Sequence, residues 1–522
     1  MNFATWSIRH PIPSVALFLV LCIAGFYSFT RLPVTEFPNV DVPVISVTIS
    51  QPGAAPAELA GQIIKPVEDA VANITGVDHI TSRATDSRAT VIINFTIETP
   101  TDRALNDVKD AVSRIRQDLP ETISEPIVKR EELIGKPIQI YTVADPTLTI
   151  EGLSKFADDV IARRLLGLKG VGGVVRIGGA DRVIRVDLDP DRLLSLGITA
   201  ADVSRQLRAT NANMGGGRGD LAGIEFSLRV LGDAPDVAAL AATPITLPTG
   251  QKLRLEQLGR VSDGSAEARD FATLDGRPVV ALAVYRASGA SDLDTAERVS
   301  AELERLRARY PGAVIEKIDD STTYTAGTFE SAMQTLYEGM ALAVLVVFAF
   351  LRNMRATIIA ATALPLSILP AFFGMYALDF SLNSISLLAI TLVTGILVDD
   401  AIVEVENIER HLAMGKSPLK AAGDAATEIG LTVIAISLTI VAVFAPVSFM
   451  GGVPGQFFKQ FGLTVAIAAL ASLAVARLIT PMMAAYLMKP AKAHATERPD
   501  SLAMRLYLRL LRWTLRHKIV TL

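Results

Sequence analysis

Six apolar runs, at roughly 11–31, 332–351, 356–376, 384–406, 428–449 and 461–487, set what this chain can fold into. Each has about the 20 residues that a helix needs to cross a bilayer core. Inside a bilayer every backbone N–H and C=O must be satisfied within its own segment, so the runs are read as six transmembrane helices. About 300 residues of ordinary soluble composition lie between the first run and the second.

The basic residues orient the bundle. Arg9 precedes the first run, Arg352 and Arg355 join the second and third, Arg410, Lys416 and Lys420 join the fourth and fifth, and Lys489 and Lys492 follow the sixth. The opposite connections hold Asp379 and a single Lys459. The positive-inside rule therefore puts the N-terminus in the cytoplasm and residues 32–331 outside it. Arg9 and His10 ahead of an apolar run also suit a signal peptide, but no small-x-small cleavage site follows, so the first run is read as an uncleaved helix. The lone cysteine, Cys22, lies in that run and leaves no intrachain disulfide or cysteine metal site. A net charge of −4 argues against nucleic acid as a partner.

The exported segment repeats a pattern. A strand at Val44–Ile49 leads through Pro52-Gly53 to a helix near 55–73, strands near 77–84 and 89–97, a helix near 101–118 and a strand near 126–130. That order is β-α-β-β-α-β, the split ferredoxin-like unit. A second round opens at Pro137–Tyr141 and runs through a helix near 150–166, strands near 171–178 and 182–188, and a helix near 191–210. A strand-rich insertion carrying Gly215-Gly216-Gly217 interrupts it, and a strand at 277–285, a helix at 291–309 and a strand at 312–318 complete it. The glycine run is read as a hairpin, because no strand leads straight into a Lys-Ser/Thr phosphate loop. Beyond a polar stretch at 491–499, Arg505, Arg509, Arg512 and Arg516 recur among leucines, which reads as a basic amphipathic helix on the inner leaflet or docked on protein. Residues 519–522 look like the start of another apolar run.

The fourth run carries Asp399 and Asp400 side by side. A carboxylate near the middle of a span costs about 2.5–3.5 kcal/mol, so the pair costs roughly 5–7 kcal/mol if additive. Burial and mutual repulsion favour a proton on at least one of them, which is what a proton-coupled device needs. Helical spacing puts Asp400, Glu404, Asn407 and His411 on one stripe and Asp399 with Glu406 on a neighbouring one. Glu404 and Glu406 fall toward the cytoplasmic end, where carboxylates reach water. Glu338 in the second run is a further accessory acidic candidate, and Arg477 in the sixth is the one basic residue deep in another run. A fixed salt bridge is the structural alternative to a proton relay at Asp399 and Asp400.

The string from Gly395 to Asn407, with Asn353-Met354-Arg355-Ala356-Thr357 ahead of it, closely resembles the resistance-nodulation-division exporters, in particular their hydrophobe/amphiphile branch. Arg9-His10-Pro11-Ile12, Leu32-Pro33, Phe37-Pro38 and Pro52-Gly53-Ala54 fit the same pattern, so the resemblance covers essentially the whole chain. It implies an α-helical membrane bundle, with six spans here as half of a twelve-span fold, plus α+β periplasmic porter subdomains and an inserted docking subdomain. On that basis 1–31 is the first transmembrane helix and 38–131 porter subdomain 1. Residues 132–176 with 266–320 form porter subdomain 2, and 177–265 the docking insertion. Residues 332–488 hold helices 2–6, and 500–518 a cytoplasmic amphipathic helix. The resemblance further implies a homotrimeric inner-membrane pump of Gram-negative bacteria that uses protons as coupling ion and needs no cofactor. It would work with a periplasmic adaptor and an outer-membrane channel on amphiphilic small molecules, with a proton relay at Asp399 and Asp400 and an acidic position at Glu338.

Three departures accompany the resemblance. The basic partners of the aspartates belong to a second half, so this chain is read as an N-terminal half. The hairpin after Asn213 looks short, and Ile138 and Ile177 stand where drug exporters carry pocket phenylalanines.

Other functions fit less well. A metal exporter wants soft ligands, yet the exported region offers Met214, His79 and no cysteine. With that lone histidine no nucleophile-base constellation can be drawn for an enzyme. A lipid-exporting relative, or a sensor or scaffold of the same fold, remains as an alternative.

Overall fold

The six apolar runs are helical, over Pro11–Phe29, Thr322–Leu351, Met354–Ala377, Ser384–Ala413, Gly430–Phe449 and Gly452–Leu487. The computed structural model describes residues 3–39, 43–131, 136–211, 214–221, 224–230, 232–267, 270–490 and 502–521. Asn213 and the polar stretch 491–499 lie outside them. Three helices extend well past their apolar runs, because hydrogen bonding inside a helix is local and continues through polar residues. The second starts at Thr322 rather than near 332, the fourth continues to Ala413, and the sixth starts at Gly452 with Pro454 in its first turn.

The chain divides into two units, Met1–Leu133 with Thr325–Leu522, and Ile134–Tyr324. In the first, the third, fourth and sixth spans form the interior of the helical bundle and the others flank it. The flanking spans turn Ile12, Phe350 and Leu431 outward, as helices facing lipid must. The first span approaches the third at Gly25, where a Cβ would lie 2.0 Å from the backbone oxygen of Leu369. Small residues let backbones meet in this way where no hydrophobic effect drives helices together. The segment after the first span is tied to the start of the fourth. Thr35 N donates to Leu382 O at 3.0 Å, and Thr35 Oγ1 donates to Ser381 Oγ at 3.0 Å.

The same unit contains strands β1 (Val44–Ser50), β2 (Val77–Thr85), β3 (Arg88–Phe95) and β4 (Ile127–Arg130), in the sheet order β2-β3-β1-β4 with every pairing antiparallel. Alternate residues of β3 are buried, and Val47 on β1 faces Val91 on β3 and Val128 on β4. One face is covered by the helix Thr101–Arg114 and by a helix whose middle turn, Ala60–Ile64, is π-helical. Leu59, Ile63, Val67 and Val108 bury that face against Ile45 and Ile93.

The second unit repeats this plan around β5 (Gln139–Ala144) and β6 (Val171–Ile177). Then come β7 (Arg182–Leu188), β8 (Met214–Leu221), β9 (Ile224–Val230), β10 (Pro244–Thr246), β11 (Lys252–Arg254), β12 (Gly259–Ser265) and β13 (Ala272–Leu274). The round closes with β14 (Arg277–Arg286), the helix Asp292–Arg309 and β15 (Val314–Asp320). β14 pairs with both β6 and β5, and β15 lies on the far edge of β5. The order β6-β14-β5-β15 matches β2-β3-β1-β4 strand for strand. The first helix of this round is also π-helical in its middle, at Ala157–Ala162.

Gly76 and Gly170, just ahead of β2 and β6, share a second signature. Their φ values are +91° and +101°, and a Cβ on either would lie 2.4 Å from a threonine Oγ1, of Thr99 and Thr295 respectively. Only glycine suits both the left-handed turn and the close neighbour.

One strand departs from the sequence reading. β7 does not join the second sheet; it pairs with β12 from Arg182↔Ser265 to Leu188↔Gly259. The repeat is therefore interrupted directly after β6, and the helix Ala200–Thr210 belongs with the interruption. Among its described residues that region holds three two-stranded sheets, β7–β12, β8–β9 and β10–β11, and a small core including Val203, Ile245, Leu255 and Leu258.

Candidate functional site in the membrane bundle

The fourth span is fixed at both ends by its own sequence. Asn383 is the N-cap, its Oδ1 accepting from Ile385 N and Ser386 N at 3.0 Å each, while Ser386 Oγ accepts from Asn383 N at 2.9 Å. Asn383 Nδ2 reaches across to Gln460 Oε1 on the sixth span at 2.6 Å. Toward the other end, Asn353, N-cap of the third span, donates to Glu409 Oε1 at 2.5 Å.

Between these anchors the aspartates diverge, because adjacent helical residues point about 100° apart. Asp400 is 5% exposed, and its Oδ2 accepts from Ser437 Oγ on the fifth span at 3.1 Å and from Ser472 Oγ on the sixth at 3.4 Å. Asp399 is exposed, on the face that also carries Leu392, Val403 and Glu406. The expected stripes are thus both present, one turned into the bundle and the other out of it. Asp400, Glu404, Asn407 and His411 are all buried, whereas Asp399 and Glu406 look out of the bundle.

Glu404 corrects the expectation of a solvated carboxylate near the interface. It is 0% exposed and forms an ion pair with Arg477, Oε2 to Nη1 at 3.6 Å. Arg477 lies in a π-helical turn of the sixth span, Val475–Ile479, just before Pro481. Proline cannot donate to the carbonyl four residues back, and a π turn is a local way to accommodate the break. The guanidinium occupies space left free by Gly430 at the start of the fifth span, where a Cβ would stand 2.7 Å from Nη2.

Below Glu404 the stripe runs into a polar cluster. Asn407 Nδ2 donates to Ala425 O at 3.2 Å. His411 is held between Lys416, whose Nζ donates to Nδ1 at 2.7 Å, and Glu428, whose Oε2 lies 2.7 Å from Nε2. A lysine ammonium only donates, so the imidazole proton facing Glu428 is on Nε2. Glu428 also accepts from Arg410, and Lys416 donates to Asp424 at 2.7 Å. Glu428 closes the short helix Pro418–Glu428, outside the spans. The hydrogen bond from His411, followed by that from Arg410, pushes its carboxyl down to about 2.

The remaining candidates lie apart from this cluster. Glu338 is exposed on the second span and accepts from Gln334 Nε2 at 2.7 Å. In the second unit Ile138 is 3% exposed within the hydrophobic core, so it faces that core and no open surface. Ile177 ends β6 and is 39% exposed. Sequence reasoning missed Ser437, Ser472 and Gly430. Their only signal was a lone small or polar residue in or beside an otherwise apolar run.

The chain matches the model of the AcrB/AcrD/AcrF family over residues 3–522. It is 33% identical over 529 residues to the multidrug resistance protein MdtC of Klebsiella pneumoniae (strain 342), covering all of this chain and 52% of that protein. It is 34% identical over 492 residues to MdtC of Yersinia pseudotuberculosis, covering 94% of this chain and 48% of the relative. MdtC of Yersinia enterocolitica is likewise 34% identical over 492 residues. The chain spans about half the length of the curated relatives it matches. With six bilayer-length helices among its described residues, two repeated sheet units and a near-complete family match, this chain belongs to the AcrB/AcrD/AcrF family of resistance-nodulation-division efflux permeases.

Proposed function

We propose that this chain is the proton-handling half of an inner-membrane exporter that exchanges protons for amphiphilic or hydrophobic compounds. The observation that carries the reading is Asp400, a carboxylate 5% exposed inside a membrane span and held by hydroxyls from two neighbouring spans. Such a group is costly in a bilayer and serves ion or proton pathways by default. Asp399 supplies the second half of the argument. An ionised aspartate turned toward lipid costs about 2.5–3.5 kcal/mol, so its face is covered by protein carrying a compensating cation. A second six-span half fits that requirement, in line with relatives about twice this length.

In this reading the sheet order β2-β3-β1-β4 and its repeat make two ferredoxin-like porter subdomains. The region from β7 to β12 is the docking insertion. Residues 32–331 are periplasmic and the N-terminus cytoplasmic, following the basic loops. The working assembly is a homotrimer joined to a periplasmic adaptor and an outer-membrane channel. Ile177, rather than the buried Ile138, is the candidate for contact with substrate. The helix Leu502–Arg516 lies on the inner leaflet through its arginine stripe. The test is drug susceptibility of cells that depend on the intact transporter. Asp400→Asn at normal membrane levels should abolish protection, and undiminished protection would exclude the proton role.

A further inference from the structure

One helical turn from Asp400 toward the cytoplasmic end, Glu404 is wholly enclosed, and neither of its oxygens accepts a hydrogen bond from a described residue. Arg477 lies 3.6 Å away, close enough to compensate charge but too far to satisfy the carboxylate as an acceptor. A fixed buried ion pair is stable only with good geometry and further hydrogen bonds. This pair lacks those on the Glu404 side, while Asp400 above it has two. The site is nevertheless built for the guanidinium, with a π-helical turn placing it and Gly430 making room.

Charge in the surroundings is sparse. The sixth span contributes Arg477 and the fourth Asp400, with Asp399 beside it turned out of the bundle, while the fifth-span segment Gly430–Phe444 has no titratable side chain. On the third span Arg355 and Tyr376 lie at the two ends, and the N-terminal helix Phe3–Arg9 ends in an exposed Arg9. Two buried carboxylates one turn apart therefore stand with a buried cation, Arg477, that pairs with Glu404. With both ionised, the group carries a surplus negative charge in a medium that penalises it; with one proton it is neutral. We propose that Asp400, Glu404 and Arg477 form a triad holding one exchangeable proton, with Glu404 the station between Asp400 and the cytoplasmic cluster at His411. When the proton is on Asp400, Glu404 is the partner of Arg477. When it passes to Glu404, the guanidinium compensates Asp400. The proposal rests on the proton-coupled reading of Asp400 and adds a second proton-bearing residue within this chain.

Carboxyl titration in the intact transporter, reconstituted in lipid and followed by infrared difference spectroscopy, tests it without a substrate. The set is wild type, Asp400→Asn, Glu404→Gln, and the charge-balanced double variant Glu404→Gln/Arg477→Met, which keeps the site neutral if Glu404→Gln alone misfolds. The double variant should shift the proton affinity of the remaining buried carboxyl by about tenfold or more. An unchanged midpoint and amplitude in a folded double variant, with the signal abolished in Asp400→Asn, overturns the triad and leaves the reading of Asp400 standing. An unchanged signal in Asp400→Asn overturns that reading itself.

Discussion

Replacing Gly25 by alanine adds one methyl group at the point where the first span meets the third. The added Cβ would stand 2.0 Å from the Leu369 carbonyl oxygen, 2.5 Å from its carbon and 3.1 Å from its Cα. Ordinary contact begins near 3.4 Å, so the oxygen contact is short by roughly 1.4 Å, and a helix backbone cannot yield as a side chain does. The spans must separate or rotate, which for overpacking costs about 1–3 kcal/mol, and leucine costs more. Gly339, on the second span, has nothing within 4 Å of its Cβ position and serves as the control. Gly339→Ala should be neutral or stabilise by about 0.5–1 kcal/mol through helix propensity. The assay is unfolding of the purified protein in mixed micelles by titration with a denaturing detergent. If Gly25→Ala and Gly25→Leu unfold with the same midpoint as wild type, close helix approach at this position is not what seats the first span.

Asn383→Ala removes the cap of the fourth span and its link to Gln460, and the same titration should show a loss of about 1–2 kcal/mol. Glu428, lowered from 4.5 to about 2 mainly by the hydrogen bond from His411, contributes its stabilisation fully above the ordinary value. That contribution is lost as pH falls through about 2. A carbon-13 titration of Glu428 should therefore show the low midpoint, and His411→Ala should move it back toward 4.5; a midpoint already near 4.5 in wild type refutes the bridge.

Much of this was legible in the residues, and what was not has physical causes. Bilayer length fixed the six spans, but their ends ran past the apolar residues because nothing in Thr322–Ser331 or Glu409–Ala413 breaks a helix. Alternation marked β7 as a strand, yet alternation carries no information about its partner, and β12 took it from the second sheet. Helical spacing placed Asp400, Glu404, Asn407 and His411 on one stripe, and that stripe is the buried one. Depth was the weak point. Proximity to the end of the run suggested water at Glu404, whereas the sixth span covers it and supplies Arg477. The pairing joins residues far apart in sequence, so neither run announced it, although an arginine inside an apolar run was a signal that a buried acid stood opposite.

Proton movement into vesicles tests the central claim most directly. The intact transporter, reconstituted with a pH-sensitive dye in the lumen and given ethidium as a model amphiphile, should move protons only while it moves the dye cation, and Asp400→Asn should abolish both fluxes together. Ethidium transport that persists in Asp400→Asn, or proceeds in wild type with no accompanying proton flux, would contradict the assignment of Asp400 as the coupling carboxylate.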